Sequence, residues 1–279
     1  MKPLALVIES DGGTRRLLDV LLSRLGLEVD LVASGTDALL LLERVEYDLI
    51  FTDLMIPGRS GMELLAWMAE HRPDSIARTI VLSSGSPVQL DEVRLRWPSA
   101  RAIRKPFELG EITDAAVRAT ARPPRQAGTI SEEFARRSVR AGAKAGVVLQ
   151  ADGPNLHAVL TYGYTQPQIE AFMPLKIEAP YPICAAARHL RPIWIASIAL
   201  VSNDYPTLVP VWQKNESRAL AAVPLIRDGE LLGVVGWAFR EPRLFSEPEQ
   251  QTFLAVAQLV NDELMHPVPR HQSGGTSGA

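Results

Sequence analysis

The chain has 279 residues, a formal net charge of −3, 47% hydrophobic residues and one cysteine. That length suits two domains, the near-neutral balance leaves no electrostatic footprint for nucleic acid or an anionic membrane, and a lone cysteine excludes an internal disulfide. No apolar run could span a bilayer, and the apolar stretch in MKPLALVIES is too short for a signal peptide; the expectation is a cytoplasmic protein with neither nucleic acid nor membrane as partner.

In chain order, four apolar runs end in polar residues: LALVIE in Glu9, YDLIFTD in Asp53, TIVLS in Ser83 and ARAIRK in Lys105. Helical patterns separate them. The first, over 14–25, puts Leu17, Leu18, Leu21, Leu22 and Leu25 on one face and ends at Gly26. A second covers 36–45. A third starts at Ser60, with Glu63 completing a capping box, and stops before Pro73. In the fourth, Ser86 is the cap, Pro87 takes the first turn and Gln89 is the reciprocal partner. The fifth, over 109–121, aligns Leu109, Ile112, Ala116 and Ala119. Strands alternating with helices predict an α/β domain with a doubly wound five-stranded parallel sheet, whose ligands bind beyond its carboxyl edge. If the four polar residues are strand ends of one sheet, two carboxylates, a hydroxyl and an ammonium converge there. Such a group could hold a divalent metal, receive a phosphoryl group and neutralise it.

The segments LVIESD, FTDLMIPGRSG, VLSSGS and IRKPF, in that order, resemble the receiver domain of bacterial two-component response regulators. The resemblance implies a flavodoxin-like fold and phosphoryl transfer from a histidine kinase or phosphotransfer protein to Asp53. It assigns phosphoryl sensing to Ser83 and Lys105, and a cis Lys105–Pro106 bond. It implies a Mg²⁺ site of Glu9, Ser10, Asp11, Asp53 and the Met55 carbonyl. Beyond its own phosphorylation and dephosphorylation, such a domain is not an enzyme. Two positions depart from the family. Ser10 stands where the family has a metal-ligating aspartate, and a neutral hydroxyl is a weaker ligand for a hard cation. Ala102 stands where many receivers carry an aromatic that rotates inward, and alanine has no rotor.

ARPPRQAG, at 121–128, reads as a linker because two adjacent prolines cannot continue a helix. The boundaries are placed at 1–122 for the first domain, 123–130 for the linker, 131–266 for the second domain and 267–279 for a disordered tail. Ser131 is expected to cap a short helix over 132–141. Its Arg136, Arg137 and Arg140, with Lys144, read as a solvated basic face.

Farther on, GVVLQA and LHAVLTYG read as strands paired around Asp152-Gly153-Pro154. RALAAVPLI and LLGVVGWAF flank Asp228-Gly229, a type I′ hairpin signal. A last helix over 248–265 carries Phe253, Val256, Val260 and Leu264 along one side. This is an α+β pattern with an antiparallel sheet. AAARHLRPIWIAS, DYPTL and AAVPLIRDGELLGVVGWAFREPRLFSEPEQ resemble a GAF domain. That family binds cyclic nucleotides, bilins, haem or other small molecules, and many members only dimerise. Cys184 reads as a small core residue rather than a chromophore anchor. His157 and His189 have no second ligand at a metal-like spacing. Trp194, Trp212, Trp237, Tyr162 and Tyr164 read as core rather than pocket, so no residue of this half is assigned to a site and its ligand stays unknown.

The expected whole is a response regulator that signals through its GAF domain, with the closing helix pointing to a homodimer. The alternative is a phosphorylation-independent receiver acting as a protein-binding adaptor, with the GAF domain as small-molecule sensor. A third option is a photoreceptor.

Overall fold

The computed structural model describes residues 2–121 and 129–264. The chain divides into two compact units, Met1–Lys144 and Ala145–Ala279. In the first, β1 (Leu4–Ile8), α1 (Gly12–Arg24), β2 (Glu28–Val32), α2 (Gly35–Leu42), β3 (Leu49–Asp53), α3 (Gly61–His71) and α4 (Pro73–Ile76) follow one another. Then come β4 (Thr79–Ser83), α5 (Pro87–Arg96), β5 (Arg101–Arg104), α6 (Leu109–Thr120) and α7 (Ile130–Arg140). The sheet order is β2-β1-β3-β4-β5, and every neighbouring pair is parallel. This is the expected doubly wound α/β fold. Strands β1, β3 and β4 are buried along their whole length, as helices on both faces require. The strand order reverses between β1 and β3, so a crevice opens beyond their carboxyl ends. Glu9 directly follows β1, and Asp53 is the last residue of β3.

Several helices differ in detail from their sequence patterns. Asp11 caps α1, its Oδ1 accepting from the Thr14 N–H at 2.7 Å. Of the five leucines, Leu18 and Leu22 are fully buried, while Leu17 and Leu25 lie exposed at the rim. The Ser60–Glu63 capping box forms as expected. The one at Ser86 does not: the Gln89 N–H donates to the Ser86 carbonyl at 3.1 Å, so the hydroxyl caps nothing. On α6, Ile112, Ala115 and Ala116 are buried and Leu109 is half-exposed.

Helix α7 brings the largest departure. Its cap is Thr129, in a reciprocal box with Glu132, because Thr129-x-x-Glu132 has the required spacing and Ser131 has no Glu or Gln three residues on. Arg136 is not on a solvated face: it is 4% exposed. Its Nε donates to Asp30 Oδ2 at 2.7 Å and its Nη2 to Asp30 Oδ1 at 3.2 Å. It also reaches Glu28 Oε1 at 2.6 Å and Glu133 Oε2 at 2.9 Å. The Tyr47 phenol donates to Asp30 Oδ2 at 2.8 Å. Burial alone would lower the Arg136 pKa, but the hydrogen bonds and charges of Asp30, Glu28 and Glu133 outweigh it and raise it further. Helix α7 therefore packs on β2 and α2 within the first unit.

The second unit holds β6 (Ala145–Asp152), β7 (Asn155–Tyr162), α8 (Gln166–Glu170), β8 (Leu175–Lys176), α9 (Pro182–His189) and β9 (Ile193–Ile195). After these come α10 (Val209–Lys214), β10 (Ala219–Arg227), β11 (Glu230–Phe239) and α11 (Glu247–Leu264). Its sheet runs β8-β7-β6-β11-β10-β9, antiparallel throughout, the expected α+β arrangement. Asp228 and Gly229 both take positive φ, 50° and 83°, as a type I′ turn between β10 and β11 needs. Phe253, Val256 and Val260 of α11 are buried, and the Phe253 ring lies 5.0 Å from that of Trp237. Linker residues 122–128, Met265, the tail at 267–279, and the side chains of Ala119 and Leu264 lie outside the described residues.

Candidate functional site

Four strand ends meet at the carboxyl edge of the first sheet. Lys105, one residue beyond β5, places its Nζ 2.5 Å from Glu9 Oε2 and 2.6 Å from Asp53 Oδ2. Each carboxylate has a second anchor. Glu9 Oε1 accepts from the Asp11 N–H at 3.0 Å, and Asp53 Oδ1 accepts from the Met55 N–H at 3.0 Å. Glu9 and Asp53 are 2% and 5% exposed, so the ammonium is what makes two adjacent buried anions tolerable. Burial works to lower the Lys105 pKa; hydrogen bonds and charges from Asp53 and Glu9 prevail and hold it above the ordinary lysine range.

Ser83 is fully buried at the end of β4, and its Oγ accepts from the Gly85 N–H at 3.0 Å. The Lys105 N–H donates to the Ser83 carbonyl at 2.9 Å, tying the two expected sensing residues together through the backbone. The Lys105–Pro106 bond is cis. Close packing sets the Asp53 loop: a Cβ on Gly61 would stand 2.3 Å from the Asp53 carbonyl oxygen, so α3 can begin here only with glycine.

The metal candidates divide. Glu9 and Asp53 converge, and Met55 adjoins Asp53. Ser10 is exposed, and Asp11 is occupied as the cap of α1. Among the described residues no cluster of three metal-ligating side chains forms. Two carboxylates with a carbonyl still suit Mg²⁺, which keeps several waters and takes one or two carboxylates from its protein. Sequence reading missed Arg15, whose guanidinium donates to the Glu9 carbonyl at 2.6 Å and the Ser10 carbonyl at 3.2 Å, bracing the loop after β1. The Asp-x-x-Thr spacing at Asp11 would have placed the start of α1, and with it Arg15 in the first turn.

In the second unit, Cys184 is buried on α9, its Sγ 3.3 Å from the Lys176 carbonyl, and burial pushes its thiol up to about 11. It is core, as expected. His157 and His189 lie at the surface. Tyr162 is core and Trp194 packs against Phe245 at 5.3 Å. Tyr164, Trp212 and Trp237 correct the core-only expectation, because all three line a cavity. Aromatic residues on strands and short helices give no sequence signal that separates packing from lining.

Comparison with known proteins also finds two parts, but begins the second at residue 126, so α7 falls in the second matched family although it packs within the first unit. Residues 5–117 match the response regulator receiver domain, and residues 126–262 match the GAF domain. The transcriptional regulatory protein AfsQ1 of Streptomyces coelicolor is 32% identical over 132 residues, 47% of this chain and 57% of that protein. Sporulation initiation phosphotransferase F of Bacillus subtilis is 27% identical over 110 residues, 39% of this chain and 87% of that protein. The chain thus spans little more than half of AfsQ1. Among solved structures, a Francisella response regulator receiver domain is 25% identical, covers 43% of this chain and 98% of its own, with a TM-score of 0.38. The receiver domain of a Pseudomonas aeruginosa sensor histidine kinase, described with magnesium in its active site cleft, is 23% identical and covers 44% of this chain and all of its own, with a TM-score of 0.40.

Proposed function

We propose that this chain, which matches the response regulator receiver domain over 5–117 and the GAF domain over 126–262, is a two-component response regulator whose Asp53 accepts a phosphoryl group. The observation that carries this reading is the Lys105 ammonium between the Glu9 and Asp53 carboxylates at the carboxyl edge of the sheet. The donor is a phosphohistidine of a kinase or phosphotransfer protein. An Asp53 oxygen bonds to phosphorus as the phosphorus–nitrogen bond breaks, and the imidazole leaves with the electron pair and takes up a proton. The protein contributes position and charge rather than covalent chemistry of its own.

Asp53 is presented by the last residue of a fully buried strand, and the Met55 N–H orients its carboxylate. Lys105 follows the charge as it moves from carboxylate to phosphoryl oxygen. Ser83 exchanges its Gly85 partner for that oxygen and draws its loop inward. Glu9 and Asp53, with the Met55 carbonyl, would hold Mg²⁺, which would screen the carboxylates from an incoming anion. With Ala102 in place of an aromatic, the output passes through the Ser83 loop and not through a ring rotation. The GAF domain carries the signal onward through a homodimer or a partner protein.

Beryllium trifluoride, a mimic of the acyl phosphate, tests the reading. With Mg²⁺ it should shift the amide resonances of Asp53, Ser83 and Lys105 in the wild type and leave Asp53→Asn unchanged. The adaptor reading predicts no shift in either.

A further inference from the structure

The loop after Asp53 is packed hard against the start of α2. The Gly35 N–H donates to the Pro57 carbonyl at 3.0 Å. A Cβ on Gly35 would stand 1.8 Å from the Arg59 carbonyl oxygen, and one on Gly58 would stand 2.4 Å from Thr36 Oγ1. Only glycine permits approaches this close. Interiors packed in this way transmit displacement instead of absorbing it, so movement of residues 54–60 shifts the first turn of α2 or breaks the contact.

Helix α2 packs in turn on α7. The loop between α2 and β3 carries Tyr47, whose phenol donates to Asp30 Oδ2, and the Arg136 guanidinium of α7 grips the same carboxylate through Nε and Nη2. Asp30 is thus the point where β2, the exit from α2 and α7 are fastened together. The fastening is ionic. A buried ion pair adds little net stability, and its best-attested use is to set a register or a switch. The far end of α7 is stiff. The Ala143 N–H donates to the Ser138 carbonyl at 3.0 Å and the Gly142 N–H to the Val139 carbonyl at 2.8 Å, with Gly142 at a φ of 81°, which is a Schellman motif. Only Lys144 then precedes β6. The GAF match begins at 126, so α7 is matched to the second family while the first unit holds it.

We propose that α7 is the transmission element of this protein: the loop after Asp53 bears on α2, α2 bears on α7, and the Arg136–Asp30 pair is the latch that holds α7 on the first unit until the acceptor site is occupied. The proposal rests on Asp53 as phosphoryl acceptor and supplies an exit that needs no aromatic at Ala102. A loop drawn toward the new phosphoryl group pulls the first turn of α2 with it. Asp30 stays with β2, so α7 cannot keep its contacts to both, and the latch opens. The chain leading into β6 is then released from the first unit.

Hydrogen exchange on the full chain, read by mass spectrometry, tests this with beryllium trifluoride and Mg²⁺ as the probe. Residues 54–60 report the acceptor site, 130–140 report α7, and 109–120 report α6 as the control. In the wild type the probe should alter exchange over 54–60, speed it about tenfold over α7, a coupling of ordinary size between two sites, and leave α6 as it was. In Arg136→Met, α7 should exchange fast without the probe and gain nothing from it, while 54–60 still respond. A second arm needs no phosphoryl mimic. Gly58→Ala drives a methyl against Thr36 Oγ1 and should speed α7 but not α6. Adding Thr36→Ala removes that oxygen, keeps the backbone strain at residue 58 and should restore α7. Should 54–60 ignore the probe, the phosphoryl reading fails by itself and the Gly58→Ala arm decides the coupling. The proposal is overturned by a probe that reaches 54–60 and leaves α7 unchanged, by α6 speeding as much as α7, or by a Gly58→Ala effect that is absent or survives Thr36→Ala. The wild-type and Gly58→Ala comparisons decide even where Arg136→Met does not fold.

Discussion

Lys105 is the residue on which the first unit's site turns, since its ammonium bridges the buried carboxylates of Glu9 and Asp53. Lys105→Met should cost about 1–3 kcal/mol at neutral pH, because two carboxylates then lose a charged hydrogen-bond partner. The pH dependence has a definite sign. A lysine whose folded pKa is raised contributes fully below its unfolded value of about 10.4, and the contribution fades as pH rises through the folded value. Urea midpoints of wild type and variant should therefore differ at pH 7 and draw together above about pH 10.4. A constant gap across that range would mean that Lys105 stabilises by packing instead.

Among the elements, α7 matters most, because the first unit holds it through one buried guanidinium. Arg136→Met leaves Asp30, fully buried, with only the half-exposed Arg140 guanidinium at 3.7 Å, and should cost about 3 kcal/mol in urea unfolding. Adding Asp30→Asn should recover part of that loss, since the poorly compensated buried charge is gone. A single-variant loss below about 1 kcal/mol would restore the solvated-face reading. This element also marks where sequence reasoning stops. The helix itself was expected, from a cap read at Ser131 that the structure places at Thr129. Its burial was not, because Asp30 lies 106 residues away and Glu28 lies 108 away. Helix α5 makes a similar point at short range: Ser86 and Gln89 have capping-box spacing, yet the backbone bond between them displaces the side-chain one.

Across the whole molecule, the two folds were legible for different reasons. In the first, four of the five strands are short apolar runs that lead directly to the residue that matters, so Glu9, Asp53, Ser83 and Lys105 could be aligned once the strands were taken as parallel. In the second, the β10–β11 hairpin and α11 could be read from turn chemistry and periodicity. The cavity could not, because its walls come from eight elements and each lining residue looks like ordinary core in its own segment. Within the metal set, only Glu9 and Asp53 meet, since Asp11 serves α1 instead. Whether this reduced set supports phosphoryl transfer is therefore the measurement that matters most. Full-length wild type and Asp53→Asn are incubated with acetyl phosphate, with and without Mg²⁺, and read by intact mass. A phosphate adduct that needs Mg²⁺ and appears only on the wild type is the predicted result. No adduct at any Mg²⁺ concentration, or the same adduct on Asp53→Asn, would contradict Asp53 as the phosphoryl acceptor.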